Sequence, residues 1–460
     1  MSETGGRTTP IDSHLPGEQQ IFGWIQEVFD QGVRRPGYPA DRWAETHCRE
    51  RFRALGLENV RHEPVELPSW GPRSASLCVT SDGEVLGVDC MALPHSAPQA
   101  EVEAPLVAFD GSAPERVKGA IALYDAPLLR MPHRVLAGLA SWVYDPGETF
   151  AETTQVLPFP REIQAVMEPT MAAGAAGFVG ALRDYPGDSN DYYVPYDAQS
   201  RPVPGVWIRG SDGARLAELL AAAPATARLT VNSSREMITT YNVVGELPGA
   251  DDETVIIGSH HDGPWSSAVE DGSGIALVLA QAQYWSRVPR QERPHRLVFL
   301  LNSGHMAGGA GCRAFVEAHR DQLASTVLEV HLEHTANEFA EVDGRLQPTG
   351  HAEARWWFTS RIPQLEAAVR EAIEAEDLGR SLLMPPTAFG PRPTTDGSEF
   401  YVAGVPIVNY LTAPFYLFDA CDTMDKIHRP NLVPVTRAAV RIIESTAGVS
   451  AAEMRAAGPA

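Results

Sequence analysis

Residues 258–274 read GSHHDGPWSSAVEDGSG, a stretch dense in side chains that bind metals or move protons. His260 and Asp262 form a His-x-Asp pair: an imidazole ligand, then a carboxylate able to take the ring's other N–H and fix its tautomer. Read in isolation, the pair is more simply a surface histidine beside a turn aspartate. Further on, Glu270 and Asp271 precede Gly-Ser-Gly and a helix-like run, IALVLAQAQYW. Acidic residues there cap a helix and its dipole. Asp271 suffices for that, so Glu270 is surplus and falls beside the end of the His260 strand. Glu333 lies in VHLEHTAN, where His331 and Glu333 alternate onto one face of a strand. Acids are depleted in buried strands unless paired or bound to metal. One histidine and two glutamates at the ends of consecutive strands point to a site for a divalent ion.

The elements that must position these residues are legible in outline. Apolar runs TVIIGSH (254–260), HRLVFLLNS (295–303), TVLEVHLEH (326–334) and VPIVNYL (405–411) read as strands. Helical patterns at GSGIALVLAQAQYW, GCRAFVEAHRDQL and IPQLEAAVREAIEAE fall between them. This alternation predicts an α/β fold, a mainly parallel central sheet with helices on both faces, whose ligands bind at the carboxyl ends of the strands. His260, Ser303 and Glu333 fall at such ends. Residues 18–31 and 41–55 read as two opening helices, followed by a proline- and glycine-rich break at PSWGPRS (68–74). Residues 70–235 read as an inserted, smaller β-rich α+β domain with a turn-rich loop, PGDSNDYYVPYD (186–197). The expected division is 1–69, N-terminal helices of the catalytic domain; 70–235, insert; and 236–460, catalytic domain.

Composition narrows the partners. Hydrophobic residues make up 44% and charged residues 21%, ordinary for a globular chain. A net charge of −22 opposes phosphate backbones and anionic lipid, which argues against nucleic acid and membrane partners. The N-terminal stretch MSETGGRTTPIDSH lacks the pattern of a leader. The five scattered cysteines form no CxxC. A cytoplasmic protein with reduced thiols is expected, and a homo-oligomer is compatible with the sequence.

Taken in order, NVVGELPG (242–249), GSHHDG, AVEDGSG, FLLNSGHMAGGAGCRAFVE, TTDGSEF (394–400) and DTMDKI (422–427) resemble the di-zinc aminopeptidase family, which includes leucyl aminopeptidases, glutamate carboxypeptidase and glutaminyl cyclases. The resemblance covers most of 236–445, and 70–235 resembles the protease-associated insert of some members. It implies that His260, Glu270 and Glu333 hold one ion, with Asp262 and Asp271 behind them. The family's second ion uses the second residue of a Glu-Glu pair and a late histidine. Those places hold Met306 and Phe418, so one ion is expected. A one-histidine, two-carboxylate set suits Mn²⁺, with Zn²⁺ or Fe²⁺ as alternatives. His305 stands at the family's general base and is expected to fill that role.

The loss of the second ion implies a substrate activated by its own chemistry. The expected function is that of an aromatic aminohydrolase. It would convert 5-nitroanthranilate to 5-nitrosalicylate and ammonia, the nitro group accepting the charge that builds up as hydroxide adds to the ring. Arg380 and Arg392 are expected to hold the carboxylate and nitro oxygens of this small aromatic substrate. Met306 and Phe418 would face the ring, and Tyr193, with Tyr192 and Tyr196, would form a lid. The alternatives are a single-metal aminopeptidase or amidase, and a catalytically dead binding protein.

Overall fold

The computed structural model describes residues 11–160 and 163–458. Residues 1–10, part of the stretch read above as lacking a leader's pattern, lie outside the described residues. Thr254–His260, Arg296–Asn302 and Thr326–Leu332 are strands, buried throughout apart from Arg296. Thr254–His260 runs parallel between the other two. Ile407–Thr412 continues the parallel order beside Thr326–Leu332, and Arg355–Thr359 then pairs antiparallel. Strands apolar on both faces need cover on both, and the core divides accordingly. Val255, Ile257, Phe299 and Leu301 share a core with the helices Gly274–Arg287 and Leu432–Glu444. Ile256, Val298 and Leu300 pack on the other side with Cys312 and Phe315 of the helix Ala310–Ala318. The fold is α/β, with a large, mainly parallel sheet between helices.

On the other flank the sheet continues without a gap. Ala225–Leu247 pairs antiparallel with Arg296–Asn302 at its carboxyl-terminal end and with Ala100–Phe109 at its amino-terminal end. Ile121–Asp125, Gly177–Leu182 and Gly205–Arg209 follow in parallel, so one 15-stranded sheet runs through both parts of the chain. The stretch PSWGPRS is not a break. It lies inside the strand Glu58–Ser81, which pairs with Ala225–Leu247 along almost its whole length. Its other neighbour, Glu84–Val88, covers only Leu77–Ser81, so Pro68 and Pro72 sit where the strand is a sheet edge. Proline is tolerated at such an edge, and the register shifts just after Pro72. Among the described residues, no helix is long and apolar enough to cross a membrane.

Candidate metal centre

His260, Glu333 and His334 arrive from the carboxyl ends of two neighbouring parallel strands, and Glu270 from the turn Ala268–Ser273 that leads into the helix Gly274–Arg287. The turn is fixed from below. The Asp422 carboxylate accepts the N–H groups of Val269 and Glu270, both at 2.9 Å. Arg34, fully buried, donates to the carbonyls of Ser267 at 2.8 Å and Glu270 at 3.2 Å. Asp271 caps the helix, accepting from Gly274 N at 2.9 Å. A Cβ on Gly274 would come within 2.0 Å of Asp271 Oδ2, so only glycine admits the aspartate there.

The cradle is built around Glu270. Its Oε1 lies 3.4 Å from both His260 Nε2 and His305 Nε2, and its Oε2 lies 2.5 Å from His334 Nε2. Glu333 Oε2 is 4.0 Å from His334 Nε2. His260, Glu270 and Glu333 are at most 2% exposed and His334 is 5%. His260 Nε2, both Glu270 oxygens and His334 Nε2 lack directed hydrogen bonds and meet one another instead, while Glu333 Oε1 meets His331 Nε2. Buried polar atoms left this way are costly unless a further group joins them. Nitrogen and oxygen donors converging from several elements fit a divalent ion.

The remaining ring nitrogens are tied. His334 Nδ1 donates to Thr412 O at 2.8 Å, and His260 Nδ1 to Asp262 O at 2.9 Å. The expectation that the Asp262 carboxylate sets the tautomer of His260 does not hold: the Asp262 carbonyl sets it. That carboxylate is engaged elsewhere, accepting the N–H groups of His305 at 3.1 Å and Met306 at 2.8 Å. Beneath Glu333, Asn409 donates to Glu329 at 2.7 Å, Glu329 contacts His331 Nδ1 at 3.0 Å, and His331 Nε2 contacts Glu333 Oε1 at 3.1 Å.

Burial, together with the neighbouring histidines, holds His260 well below its usual pKa, so its ring is neutral and able to ligate. Burial also opposes charge on His305 and His334. The attraction of Asp396 and Glu270 outweighs it for His305, and that of Glu270 for His334, raising each to about 10. Burial raises Glu333, but His331 overrides it and brings the carboxylate to about 2. The acidic groups therefore hold protons on two imidazoles, positive charge that a divalent cation replaces.

His305 opens on a cavity of about 780 Å³ lined also by Phe159, Tyr196, Arg392, Thr395 and Asp396. Its Nδ1 lies 2.7 Å from Asp396 Oδ1. Tyr196 stacks on His305 at 5.2 Å between centroids, and His305 on His260 at 4.0 Å. Phe418 packs against Tyr196 at 4.9 Å and against Phe159 at 5.3 Å. Met306 is buried behind its backbone bond to Asp262. The structure does not bring the two arginines together. Arg392 borders the cavity and pairs with Glu399 at 3.1 Å. Arg380 is buried elsewhere, 2.5 Å from Glu338. Tyr193 does not line the cavity; it packs under the Arg35 guanidinium and beside Trp70, while Tyr196 forms the wall.

Sequence reading missed His334, Asp396 and Arg34. Strand alternation turns His334 away from Glu333, but His334 has a φ of 42°, a left-handed backbone that swings it back onto the cradle. Asp396 stood in TTDGSEF, where its neighbour across the cavity was not visible.

His261 points away from the cradle. Its Nδ1 lies 3.0 Å from Asp41 Oδ1 and its Nε2 2.9 Å from Tyr241 O. Burial lowers its pKa, but Asp41 overrides this and raises it from 6.5 to about 9. A folded pKa above the unfolded one gives stability that is full below pH 6.5 and is lost as pH rises through about 9. The gap corresponds to at most about 3 kcal/mol. The denaturation midpoint is expected to fall across this window in the wild type and to fall less in His261→Gln. Urea titrations of both proteins at several pH values check it; identical slopes would remove His261 from the account.

Residues 242–443, which carry all the cradle residues and Asp396, match the model of Peptidase family M28. The chain is 27% identical over 243 residues to leucine aminopeptidase 2 of Arthroderma otae, covering 50% of this chain and 41% of that protein. It is 38% identical over 88 residues to a probable leucine aminopeptidase 2 of Aspergillus fumigatus, covering 18% of this chain and 17% of that protein. The chain thus matches less than half the length of these relatives. Among solved structures, a peptidase M28 precursor from Shewanella amazonensis superposes with a TM-score of 0.70 at 20% identity, covering 93% of each chain. A zinc aminopeptidase from Bacillus subtilis gives 0.66 at 16% identity, covering 93% of this chain and 95% of that one. An aminopeptidase from Aneurinibacillus gives 0.65 at 19% identity, covering 96% and 95%. These likenesses show the fold.

Proposed function

Starting from the match to Peptidase family M28, we propose that this chain is a metal-dependent hydrolase of C–N bonds, an aminopeptidase or amidase. The observation that carries the reading is the convergence of His260, Glu270, Glu333 and His334, buried and with ligand atoms left without directed hydrogen bonds, beside a cavity large enough for a small substrate. A divalent ion held by these residues supplies charge that activates water and polarises a carbonyl. His305 stands between cradle and cavity. With Nδ1 committed to Asp396, its Nε2 is the atom that takes a proton from the incoming water and returns it to the leaving amine. Tyr196, backed by Phe418, shields this exchange from solvent and offers an aromatic wall to the substrate.

That wall favours a second reading, hydrolysis of an aromatic amine such as 5-nitroanthranilate. Phe418 backs Tyr196, the aromatic wall of the cavity, and a flat substrate ring stacks well on such a surface. Among the described residues that line the cavity, Arg392 is the one arginine, and it meets a carboxylate or nitro group by leaving Glu399.

One assay separates the readings. Chelated protein, and protein reloaded with Zn²⁺ or Mn²⁺, is offered aminoacyl arylamides and 5-nitroanthranilate, with release of arylamine and of ammonia followed separately. The expected result is metal-dependent cleavage of arylamides, fastest with aromatic side chains. Ammonia from nitroanthranilate without arylamide cleavage would establish the second reading. No turnover of either by metal-loaded protein would overturn both.

A further inference from the structure

A second cluster of metal-binding side chains lies outside this cradle, where residues 128–156 meet the hairpin of Asn337–Val342 and Arg345–Ala352. His133 opens the helix His133–Leu139, Glu338 lies on the first hairpin strand, and Glu353 follows the second. One ligand atom from each lies within 4.8 Å of those of the other two. His133 is 0% exposed and Glu353 4%. Glu338 and Glu353 also line a cleft of about 540 Å³ that opens to solvent, so small ions have a way in.

The hydrogen bonds fix the tautomer of His133. Thr153 Oγ1 donates to Thr149 O at 2.7 Å, so at 2.9 Å from His133 Nδ1 it must accept. The proton therefore sits on Nδ1 and leaves Nε2 with a bare lone pair, buried and without a partner. Among the described residues, no neighbouring donor is directed at it. The Arg380 guanidinium gives Nη2 to Glu338 at 2.5 Å and Nη1 to Thr149 Oγ1 at 3.0 Å. Thr349 donates to Glu338 at 2.7 Å, and Ala354 N to Glu353 at 3.2 Å.

The charge is unbalanced as well. Two carboxylates face one guanidinium, and burial beside Glu338 pushes Glu353 up to about 8. Burial and Arg380 push His133 down to about 4, which leaves its ring neutral and ready to ligate.

We infer that His133, Glu338 and Glu353 form a second binding site for a divalent cation, separate from the principal cradle, that ties residues 128–156 to the hairpin. One imidazole and two carboxylates suit an ion of intermediate hardness such as Zn²⁺ or Mn²⁺. The ion gives His133 Nε2 the partner it lacks and offsets the excess negative charge. Because its ligands come from segments far apart in sequence, it binds the folded chain only and raises stability by mass action. The competing arrangement is a proton on Glu353 shared with His133 Nε2, which needs no metal.

The test uses the full chain with the principal cradle disabled by His260→Ala and Glu270→Gln. This protein is dialysed against Zn²⁺ or Mn²⁺, its bound metal is counted by elemental analysis, and its Tm is measured with and without chelator. One equivalent is expected to remain, with a Tm that falls on chelation. Adding Glu353→Gln, which keeps the shape of the side chain, or His133→Ala should remove both the equivalent and the chelator effect. A folded cradle variant that binds no metal would overturn the inference in favour of the shared proton. Retention of the equivalent after both further substitutions would overturn it too.

Discussion

Glu270→Gln is expected to abolish turnover and to release the ion from the principal cradle while leaving the fold intact. Glu270 touches three imidazoles: His260 and His305 through Oε1, both at 3.4 Å, and His334 through Oε2 at 2.5 Å. Glutamine has the same volume, and its backbone N–H still reaches Asp422, so the turn need not move. What disappears is the negative charge that draws the histidines together and balances a cation. An amide NH₂ would also face imidazole nitrogens that should carry lone pairs. Removing an outer hydrogen-bond partner of a metal ligand costs roughly 10- to 100-fold in affinity. Loss of the central ligand should exceed that, and activity should fall with metal content. Elemental analysis of the dialysed variant beside its circular dichroism spectrum checks both parts. A folded Glu270→Gln protein with full metal occupancy would remove Glu270 from the ligand set.

Glu270 was legible in the sequence because an acid beyond the needs of a helix cap calls for another explanation. The strands that end near it were legible for an equally local reason, since short runs such as TVIIG and LVFLL are apolar on both faces and bounded by polar turns. The strand Glu58–Ser81 was not. Its prolines signal a break to any local rule, and only the partner strand, some 170 residues away, explains why they are tolerated at an edge. The same distinction runs through the site. Arg34 reaches the carbonyl of Glu270 across 236 positions, a contact with no sequence signal. Arg380 and Arg392 looked alike as clamps for a substrate's oxygens, yet one is buried against Glu338 and the other borders the cavity. Local spacing identifies groups able to ligate; tertiary packing decides which of them meet.

His305→Ala is expected to lower kcat by roughly 10²- to 10⁴-fold, the range for loss of a positioned proton carrier. KM should change little. The ion should stay, because His260, Glu270, Glu333 and His334 still surround it. The size of the effect follows from how the ring is held. Asp396 fixes Nδ1 at 2.7 Å, and Tyr196 and His260 sandwich the ring at 5.2 and 4.0 Å, so Nε2 has one orientation, toward Glu270 and the mouth of the cavity. Asp396→Asn separates orientation from ring chemistry. An amide in place of the carboxylate can present its NH₂ to Nδ1, which moves the ring proton to Nε2 and blocks it as an acceptor. This variant should therefore lose much of the same kcat with the imidazole still present, and should keep its metal. If His305→Ala loses its ion in step with activity, His305 is a ligand and the proton carrier lies elsewhere. If Asp396→Asn turns over like wild type, the pair does not set the tautomer on which the proposed proton path depends.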